Sequence, residues 1–360
     1  MRERDLVIVG GGPAGMAAAL SAYESGVKDI LILERDQYLG GILNQCIHTG
    51  FGLVHFKEVL TGPEYAERFI KKVKAVPQIE VSLKTFVVDL KVCDPDINVR
   101  LRRSEQEPTL QRRDFVITYL KPGKREKIRA KAIIMSTGCR ERTREMIHIP
   151  GTRPAGIFNA GLAQKMINVE GWLPGKTVVI IGSGDIGLIM ARRFTLEGAQ
   201  VKAVIELENK SRGLARNIAQ CIEDFDIPIY FRHKISKIYG KDRVEGVDIV
   251  KVGDDLQEIP NSGFTINCDT LLVSVGLIPE NELIEMAGVE IDKKTNSPVS
   301  KQLNSTSVPG IFVCGNSYKV YDIVDSVTRD SCECGRMAAK WLRTLTPLPL
   351  SQPPDGVGEG

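Results

Sequence analysis

Short runs dominated by consecutive apolar residues divide this chain into repeating units. The clearest runs are "DLVIV", "DILILE", "TVVIIG" and "QVKAVIE". Such runs are typical of parallel strands, because both faces of those strands are buried. Helix-favouring segments follow two of them, "PAGMAAAL" after the first and "DIGLIMARRFTLEG" after the third. This strand–helix–strand order predicts an α/β fold with parallel sheets.

A glycine-rich turn follows the first predicted strand. Gly10, Gly12 and Gly15 have the spacing G-x-G-x-x-G. The first glycine permits a tight turn, the second lets the backbone approach a pyrophosphate, and the third lets the helix pack on the sheet. Pro13 and Ala14 lie at the start of that helix, where unpaired N–H groups and the helix dipole favour phosphate. We therefore predict that this turn binds a dinucleotide.

An acidic residue ends the next predicted strand. Glu34 follows Gly15 by 19 residues. Its carboxylate can accept hydrogen bonds from a ribose 2′-hydroxyl. Arg35, directly after it, is included in the same predicted site.

The same arrangement recurs near residue 180. A strand, a glycine turn, a helix and a second strand end at Glu206, again 19 residues after the last glycine of the motif. One glycine turn alone is weak evidence, but two complete copies predict two bound dinucleotides. The predicted second site comprises Gly182, Gly184, Asp185, Ile186, Gly187 and Glu206.

Two dinucleotides in one chain suggest electron transfer between a nicotinamide and a bound flavin. Glu206 should repel a 2′-phosphate, which favours NADH. Lys210 and Arg212 follow closely, so NADPH stays open.

Composition narrows the class further. The chain has 360 residues and a net charge of +3, too small to indicate nucleic acid or a membrane surface as a partner. No apolar run reaches the roughly 20 residues of a membrane-spanning helix. The first strand begins almost at the N-terminus, so no signal peptide is expected.

The 8 cysteines lack a paired framework, which predicts free thiols, no metal site and a cytoplasmic location.

The doubled motif resembles the flavoproteins with two dinucleotide-binding domains, a group that includes thioredoxin and glutathione reductases. This resemblance implies two Rossmann-like domains with a three-layer ββα architecture, FAD on the first motif and NAD(P)H on the second. Further segments fit the pattern: "LGGILNQCIH", "AIIMSTG", "TLLVSVGLIPEN" and "GIFVCGN". They add to the FAD site Gly41, Thr137, Gly138, Gly315 and Asn316, and to the NAD(P)H site Gly276. Asn316 stands where the family usually has aspartate, so only an uncharged hydrogen bond to the ribitol is expected.

The resemblance also implies the domain boundaries. The FAD-binding domain is expected at 1–150 and 281–346, with the NAD(P)H-binding domain inserted at 151–280. The linker "IPGTRPAGIF" is rich in proline and glycine, which is typical of a boundary. The segment 347–360 is expected to be a disordered tail.

Cys46 and His48 are the candidate catalytic residues. Disulfide reductases of this group carry a pair of cysteines near the flavin, but this chain has only Cys46 there. The thiol is either redox-active, with its pKa lowered by His48, or a small filler of the pocket, with His48 hydrogen-bonded to a backbone carbonyl.

A closer likeness concerns "GCRERTR", "IPGTRPAGIF" and "CGNSYKVYDIVDSVT". These segments are similar to bacterial NAD(P)/FAD-dependent oxidoreductases encoded beside a glycerol-3-phosphate dehydrogenase-like flavoprotein and a small cysteine-containing protein. The likeness implies an electron-transfer subunit with those two partners, in a dehydrogenase for glycerol-3-phosphate or a related hydroxy acid. Two alternatives stay open: a stand-alone NADH oxidase or disulfide reductase using Cys46, and a redox-sensing flavoprotein with negligible turnover.

Overall fold

The structure is a computed structural model that describes residues 1–93, 114–300 and 302–345. The predicted tail at 347–360 lies outside the described residues. Within the described ranges, no helix combines the length and the apolar character that crossing a membrane requires.

Helices and strands alternate along most of the described chain. The helices are, in chain order, α1 (Pro13–Glu24), α2 (Gly62–Lys74), α3 (Ala160–Asn168), α4 (Asp185–Leu196), α5 (Ala215–Cys221), α6 (Glu282–Met286) and α7 (Val324–Leu345). The strands are β1 (Arg2–Val9), β2 (Ile30–Leu33), β3 (Thr49–Phe51), β4 (Leu60–Thr61), β5 (Ile79–Ser82), β6 (Phe86–Cys93), β7 (Asp114–Lys121), β8 (Lys124–Met135), β9 (Cys139–Glu141), β10 (Ile157–Asn159), β11 (Thr177–Ile181), β12 (Gln200–Glu206), β13 (Ile229–Phe231), β14 (His233–Tyr239), β15 (Gly246–Lys251), β16 (Phe264–Asn267), β17 (Thr270–Val273), β18 (Leu277–Pro279), β19 (Ile291–Asp292), β20 (Ser297–Pro298) and β21 (Ile311–Val313).

The chain divides into two compact units. The first comprises Met1–Gly41 and the described parts of Glu67–Gly138 and Glu280–Gly360, and the second comprises Ile42–Ala66 and Cys139–Pro279. The second unit therefore interrupts the first, and it contains 42–66 and 139–150, which the sequence had assigned to the flavin domain. That FAD and NAD(P)H bind to these units stays a prediction.

Hydrogen bonds explain why these two segments join the second unit. The Gln45 side chain donates to the Gly161 carbonyl (2.8 Å) and to Gln164 Oε1 (3.0 Å), which ties 42–48 to α3. Strand β9 pairs antiparallel with β18, and the Arg142 N–H donates to the Gly276 carbonyl (3.0 Å). These pairings link residues more than 100 positions apart, so local sequence patterns do not reveal them.

The first unit is built on one sheet. Its parallel part has the order β5-β2-β1-β8, with β21 beside the C-terminal half of β8. The N-terminal half of β8 pairs antiparallel with β7, and β7 with β6. The turn between β7 and β8 is Pro122-Gly123, with Gly123 at φ +73°, a conformation that favours glycine.

Both faces of the first sheet are buried along the C-terminal half of β1. Val7 and Val9 of β1 belong to a core shared with Phe115 and Ile117 of β7. The alternate residue Ile8 points to the opposite face, because side chains alternate along a strand, and it too is fully buried. Burial on both faces therefore explains the apolar run "LVIV" of β1, as inferred from the sequence.

The second unit repeats the parallel arrangement. Its sheet has the order β10-β17-β11-β12-β13, which corresponds strand by strand to β21-β8-β1-β2-β5. Val178 and Ile180 of β11 share a core with helices α3 and α4, while Val179 packs with the antiparallel strands β14 and β15. Helices, parallel sheet and antiparallel sheet therefore form the three predicted layers.

The antiparallel sheet of this unit begins only after β13. Strand β13 pairs parallel with β12 as the last strand of the main sheet, although its short apolar sequence is equally compatible with an antiparallel strand. The antiparallel sheet consists of β14, β15 and β16. A three-residue apolar strand has no periodicity that distinguishes these two kinds of pairing.

Candidate dinucleotide-binding sites

The two strand-terminal acids make the same hydrogen bonds. In the first unit, the Gly11 N–H donates to Glu34 Oε2 (2.6 Å) and the Asp36 N–H donates to Oε1 (2.8 Å). In the second unit, the N–H groups of Ser183 and Glu208 donate to Glu206 Oε2 and Oε1, both at 2.9 Å. Each acid therefore ties the glycine turn to the end of the neighbouring strand.

These bonds hold each carboxylate in one orientation without saturating it. Glu34 and Glu206 are only 5% and 7% exposed. A carboxylate can accept about four hydrogen bonds, and the Ser183 hydroxyl supplies a third to Glu206 (2.5 Å). Both acids keep the capacity to accept a ribose hydroxyl.

The first and third glycines of each motif are required by close approaches. Gly10 has φ +109°, and a Cβ there would lie 2.4 Å from the Ser136 carbonyl oxygen. Gly182 has φ +93°, with the Ser274 carbonyl oxygen at 2.1 Å. A Cβ on Gly15 would lie 1.9 Å from the carbonyl oxygen of Gly10, and one on Gly187 would lie 2.4 Å from that of Gly182. The tight turn and the close helix–sheet packing are thus present in both units.

The middle glycines have space in front of them. Gly12 and Gly184 precede α1 and α4, and no side chain among the described residues caps either helix start. A Cβ on Gly184 would meet nothing within 4 Å, and one on Gly12 would meet only the Cα of Gly41, at 3.8 Å. Both helix starts therefore offer backbone N–H groups beside open space, which fits a pyrophosphate in each unit.

The segment before residue 42 crosses the first motif closely. The Gly40 N–H donates to the Gly11 carbonyl (3.0 Å). Gly41 has φ +54°, and a Cβ there would lie 3.0 Å from the Cα of Gly12. The structure thus places Gly41 beside the first motif, and its role in binding FAD stays a prediction.

The late glycine turn also reaches the first motif. Gly315 has φ +64°, and a Cβ there would lie 2.7 Å from the Cβ of Ala14. The Oδ1 atom of Asn316 accepts the Tyr321 N–H (3.1 Å), so this oxygen already has one donor.

Arg35, the predicted FAD-site residue that follows Glu34, has an exposed side chain.

Thr137 and Gly138 contact the segment that begins at Glu280. The Thr137 hydroxyl donates to the Glu280 carbonyl (2.7 Å), and the Glu280 N–H donates to the Gly138 carbonyl (3.0 Å). Gly138 has φ +77°, and a Cβ there would meet nothing within 4 Å. This open position again leaves room for a ligand beside the backbone.

Asn281 is a residue of the first unit that sequence reasoning missed. It is 2% exposed, and its amide donates to the carbonyls of Asn296 (2.6 Å) and Ser317 (2.8 Å). Its Oδ1 atom is buried and has no hydrogen-bond partner among the described residues. An acceptor without a donor is unfavourable in a protein interior, so a ligand hydroxyl or N–H would satisfy it. The available signal was its position at the end of the segment "TLLVSVGLIPEN".

The remaining predicted residues of the NAD(P)H site have mixed roles. Asp185 Oδ1 accepts the Leu214 N–H (2.8 Å) and the Asn217 side-chain amide (2.7 Å), so it fastens the start of α5 to that of α4. Ile186 is partly exposed beside it. Gly276 has φ +107° and accepts the Arg142 N–H through its carbonyl.

The structure favours the filler interpretation of Cys46. Its thiol contacts the Ile42 carbonyl (3.3 Å) and Gln164 Oε1 (3.6 Å). Burial raises the pKa of Cys46 to about 12, whereas an activated thiol needs a lowered pKa. His48 Nδ1 lies 3.2 Å from the Thr49 carbonyl, and burial lowers the pKa of His48, with Arg216 lowering it further. A neutral imidazole of this kind gives Cys46 no electrostatic activation.

Two parallel sheets, each with a glycine turn, a helix and a strand-terminal acid, define an α/β protein with two Rossmann-like folds. A model of the pyridine nucleotide-disulphide oxidoreductase family matches residues 4–329, and the chain belongs to that family. Members of this family bind FAD and use NAD(P)H. The predicted fold, enzyme class and cofactors are confirmed at this level.

Individual relatives are distant. The chain is 22% identical over 330 residues to an opine oxidase subunit of Agrobacterium tumefaciens, with 87% of this chain and 61% of that protein covered. It is 24% identical over 330 residues to the hydrogen cyanide synthase subunit HcnB of Pseudomonas protegens, with 86% and 65% covered. The chain thus spans about three fifths of the length of these relatives.

The fold also matches solved structures. Thioredoxin reductase from T. acidophilum superposes with a TM-score of 0.71 at 22% sequence identity, covering 94% of this chain and 99% of that one. At this identity the likeness concerns the fold alone.

Proposed function

We propose that the protein is an FAD-dependent oxidoreductase that exchanges hydride with NADH and serves as one subunit of a multi-component dehydrogenase. The observation that carries this proposal is the repeated hydrogen-bond arrangement, in which Glu34 and Glu206 each anchor a glycine turn beside an open helix start. Gly12, Gly41, Gly315 and Asn281 would hold FAD, and Gly184 with Glu206 would hold the nicotinamide nucleotide.

The protein's own residues position the two nucleotides. Bound FAD would supply a two-electron acceptor, which amino acid side chains lack. The helix starts after Gly12 and Gly184 would neutralise pyrophosphate charge, and the two acids would orient the riboses. No general acid or base is needed for a direct hydride transfer.

Charges after β12 support NADH over NADPH. The Glu206 carboxylate is buried at the strand end, and Glu208 lies two residues on. Arg212 forms an ion pair with Glu208 (2.9 Å), so its charge is partly compensated. A 2′-phosphate at this position would lie near two carboxylates. Glu208 is paired with Arg212, whereas Glu206 has no cationic partner among the described residues, so its charge would repel the phosphate.

The subunit part of the proposal draws on the relatives. The opine oxidase and hydrogen cyanide synthase subunits are, by their names, components of larger enzymes. The resemblance in the sequence adds the chemistry of the expected partners: a glycerol-3-phosphate dehydrogenase-like flavoprotein and a small cysteine-containing protein. The substrate of the whole enzyme, whichever direction the reaction takes, would then be bound mainly by the flavoprotein partner.

Rapid anaerobic mixing tests the redox proposal. The FAD-loaded protein is mixed with NADH, and the absorbance of oxidised flavin is followed. We expect bleaching within seconds and much slower bleaching with NADPH. Bleaching that takes longer than minutes would contradict the proposal and favour a redox sensor.

Affinity purification from native expression tests the subunit proposal separately. We expect a second flavoprotein and a small cysteine-containing protein to co-elute with the chain. Recovery of the chain alone with full NADH oxidase activity would contradict the subunit proposal and leave the redox proposal intact.

A further inference from the structure

Asp330 is a buried acid to which the motifs assign no role. It lies in the second turn of α7 and is 7% exposed. Removing a carboxylate from water is unfavourable unless the protein supplies compensating hydrogen bonds. The surroundings of Asp330 therefore indicate what the charge is for.

Two loops of the first unit supply three donors to this carboxylate. The Gly315 backbone N–H donates to Oδ2 (2.9 Å), and the Asn304 side-chain amide donates to Oδ1 (2.8 Å). The Tyr321 hydroxyl is also hydrogen-bonded to Asp330, and burial together with this acid raises the pKa of Tyr321. Asp330 thus joins α7 to the loops on both sides of β21.

All three donors are neutral. Among the described residues, no lysine or arginine forms an ion pair with Asp330. Neutral donors hold the carboxylate in place but leave its charge in a poorly screened interior. An asparagine would accept some of the same hydrogen bonds without burying a charge, so a purely structural role does not require an acid.

The contact with Gly315 connects Asp330 to the predicted flavin site. Gly315 begins the turn that approaches Ala14 of the first motif. Two hydrogen bonds to Val313 hold Asn304. The Val313 N–H donates to the Asn304 backbone carbonyl (3.0 Å), and the Asn304 side-chain amide donates to the Val313 carbonyl (3.0 Å). The carboxylate is thus fastened directly behind this turn.

We propose that Asp330 is a positioning residue for the flavin: it holds the Gly315–Asn316 turn in place and sets a fixed negative charge behind it that lowers the flavin reduction potential. This inference rests on the proposed function, because it assumes that the turn binds FAD. Reduction adds negative charge to a flavin, and a nearby fixed negative charge opposes that addition.

The test compares Asp330→Asn with Glu333→Gln. Glu333 lies on the same helix, but it is partly exposed and paired with Arg336, so it is a matched control. For Asp330→Asn we expect FAD affinity of the apoprotein to fall about ten-fold, as for loss of a hydrogen bond to a charged group. We also expect the midpoint potential of the bound flavin to rise, and Glu333→Gln to match the unmodified protein in both measurements.

Tyr321→Phe provides a second and opposite measurement. It removes one donor but keeps the charge, so the carboxylate is less compensated. FAD affinity should again fall, but the midpoint potential should move down rather than up. Because Tyr321 is only half-buried, this variant keeps the proposal testable if Asp330→Asn does not fold.

Unchanged FAD affinity and potential in both variants would overturn the proposal, as would a loss of thermal stability alone. Such a result would leave the proposed function standing, provided that the unmodified protein is yellow and reduced by NADH. An unmodified protein that binds no FAD would instead overturn the proposed function, and with it this inference.

Discussion

Gly12 and Gly41 face each other across the first glycine turn, so closely that a Cβ on Gly41 would lie 3.0 Å from the Cα of Gly12. The reverse contact is looser, because a Cβ on Gly12 would still be 3.8 Å from Gly41. Gly12 also has ordinary extended backbone angles, φ −75° and ψ −173°. Alanine at residue 12 is therefore compatible with the fold, which makes it a selective probe of ligand binding.

Gly12→Ala should weaken FAD binding while leaving the fold intact. The added methyl group enters the space proposed for the pyrophosphate, and we expect a loss of affinity of about ten-fold or more. Titration of apoprotein with FAD measures it. Gly184→Ala is the matched control, because residue 184 has the same backbone region and open space in front of it. The Gly184→Ala variant should keep its FAD and lose affinity for NADH. If Gly184→Ala lost FAD and Gly12→Ala lost affinity for NADH instead, FAD would bind to the second motif and NADH to the first.

Glu208→Gln should increase the use of NADPH. The substitution removes a negative charge near the proposed 2′-position and releases Arg212, whose guanidinium can then bind a phosphate. We expect the ratio of kcat/KM for NADPH to that for NADH to rise about ten-fold. Glu197→Gln, which breaks a similar ion pair with Arg193, serves as the control. An unchanged ratio would mean that the nucleotide does not reach this loop.

Cys46→Ser should leave the reduction of flavin by NADH unchanged. Since the pKa of Cys46 is raised to about 12, only roughly one thiol in ten thousand is ionised at about pH 8. Because alkylation requires the thiolate, the raised pKa also predicts slow alkylation of Cys46 by iodoacetamide, which peptide mass spectrometry can follow. Fast alkylation, or loss of turnover in the serine variant, would restore the thiol-based alternative.

The raised pKa of Cys46 also predicts a pH effect on stability. A thiol whose pKa is higher in the folded state than in the unfolded state favours folding below the unfolded value of about 9. That contribution disappears as the pH rises from about 9 towards about 12. Thermal unfolding at about pH 8 and about pH 10 should therefore show a smaller loss of Tm in Cys46→Ala than in the unmodified protein.

Gly335→Ala should destabilise the first unit. A Cβ there would lie 2.3 Å from the Ala18 carbonyl oxygen and 2.9 Å from the Ala22 nitrogen, which are backbone atoms of α1. Overpacking of this kind costs about 1–3 kcal/mol, and it should exceed the gain of up to about 1 kcal/mol from alanine in a helix. Chemical denaturation measures the difference. Gly263→Ala, with its nearest neighbour 3.5 Å away, should be close to neutral.

Local sequence rules determined the two nucleotide-binding cores. Strand, glycine turn, helix, strand and terminal acid are consecutive in the chain, and each step follows from backbone geometry and burial. The positive φ of Gly10 and Gly182, for example, follows from a turn that no residue with a Cβ fits. The amino-acid sequence by itself is therefore sufficient to predict these parts of the fold.

Tertiary structure alone decided the contacts between distant segments. Three features depend on residues that approach each other only after folding: the burial that raises the pKa of Cys46, the donors to Asp330, and the position of Asn281 Oδ1, which has no hydrogen-bond partner among the described residues. The assignment of 42–66 to the second unit has the same cause, since Gln45 finds its partners more than 100 residues away. Periodicity and motif spacing describe neighbours along the chain, whereas burial and charge compensation depend on neighbours in space.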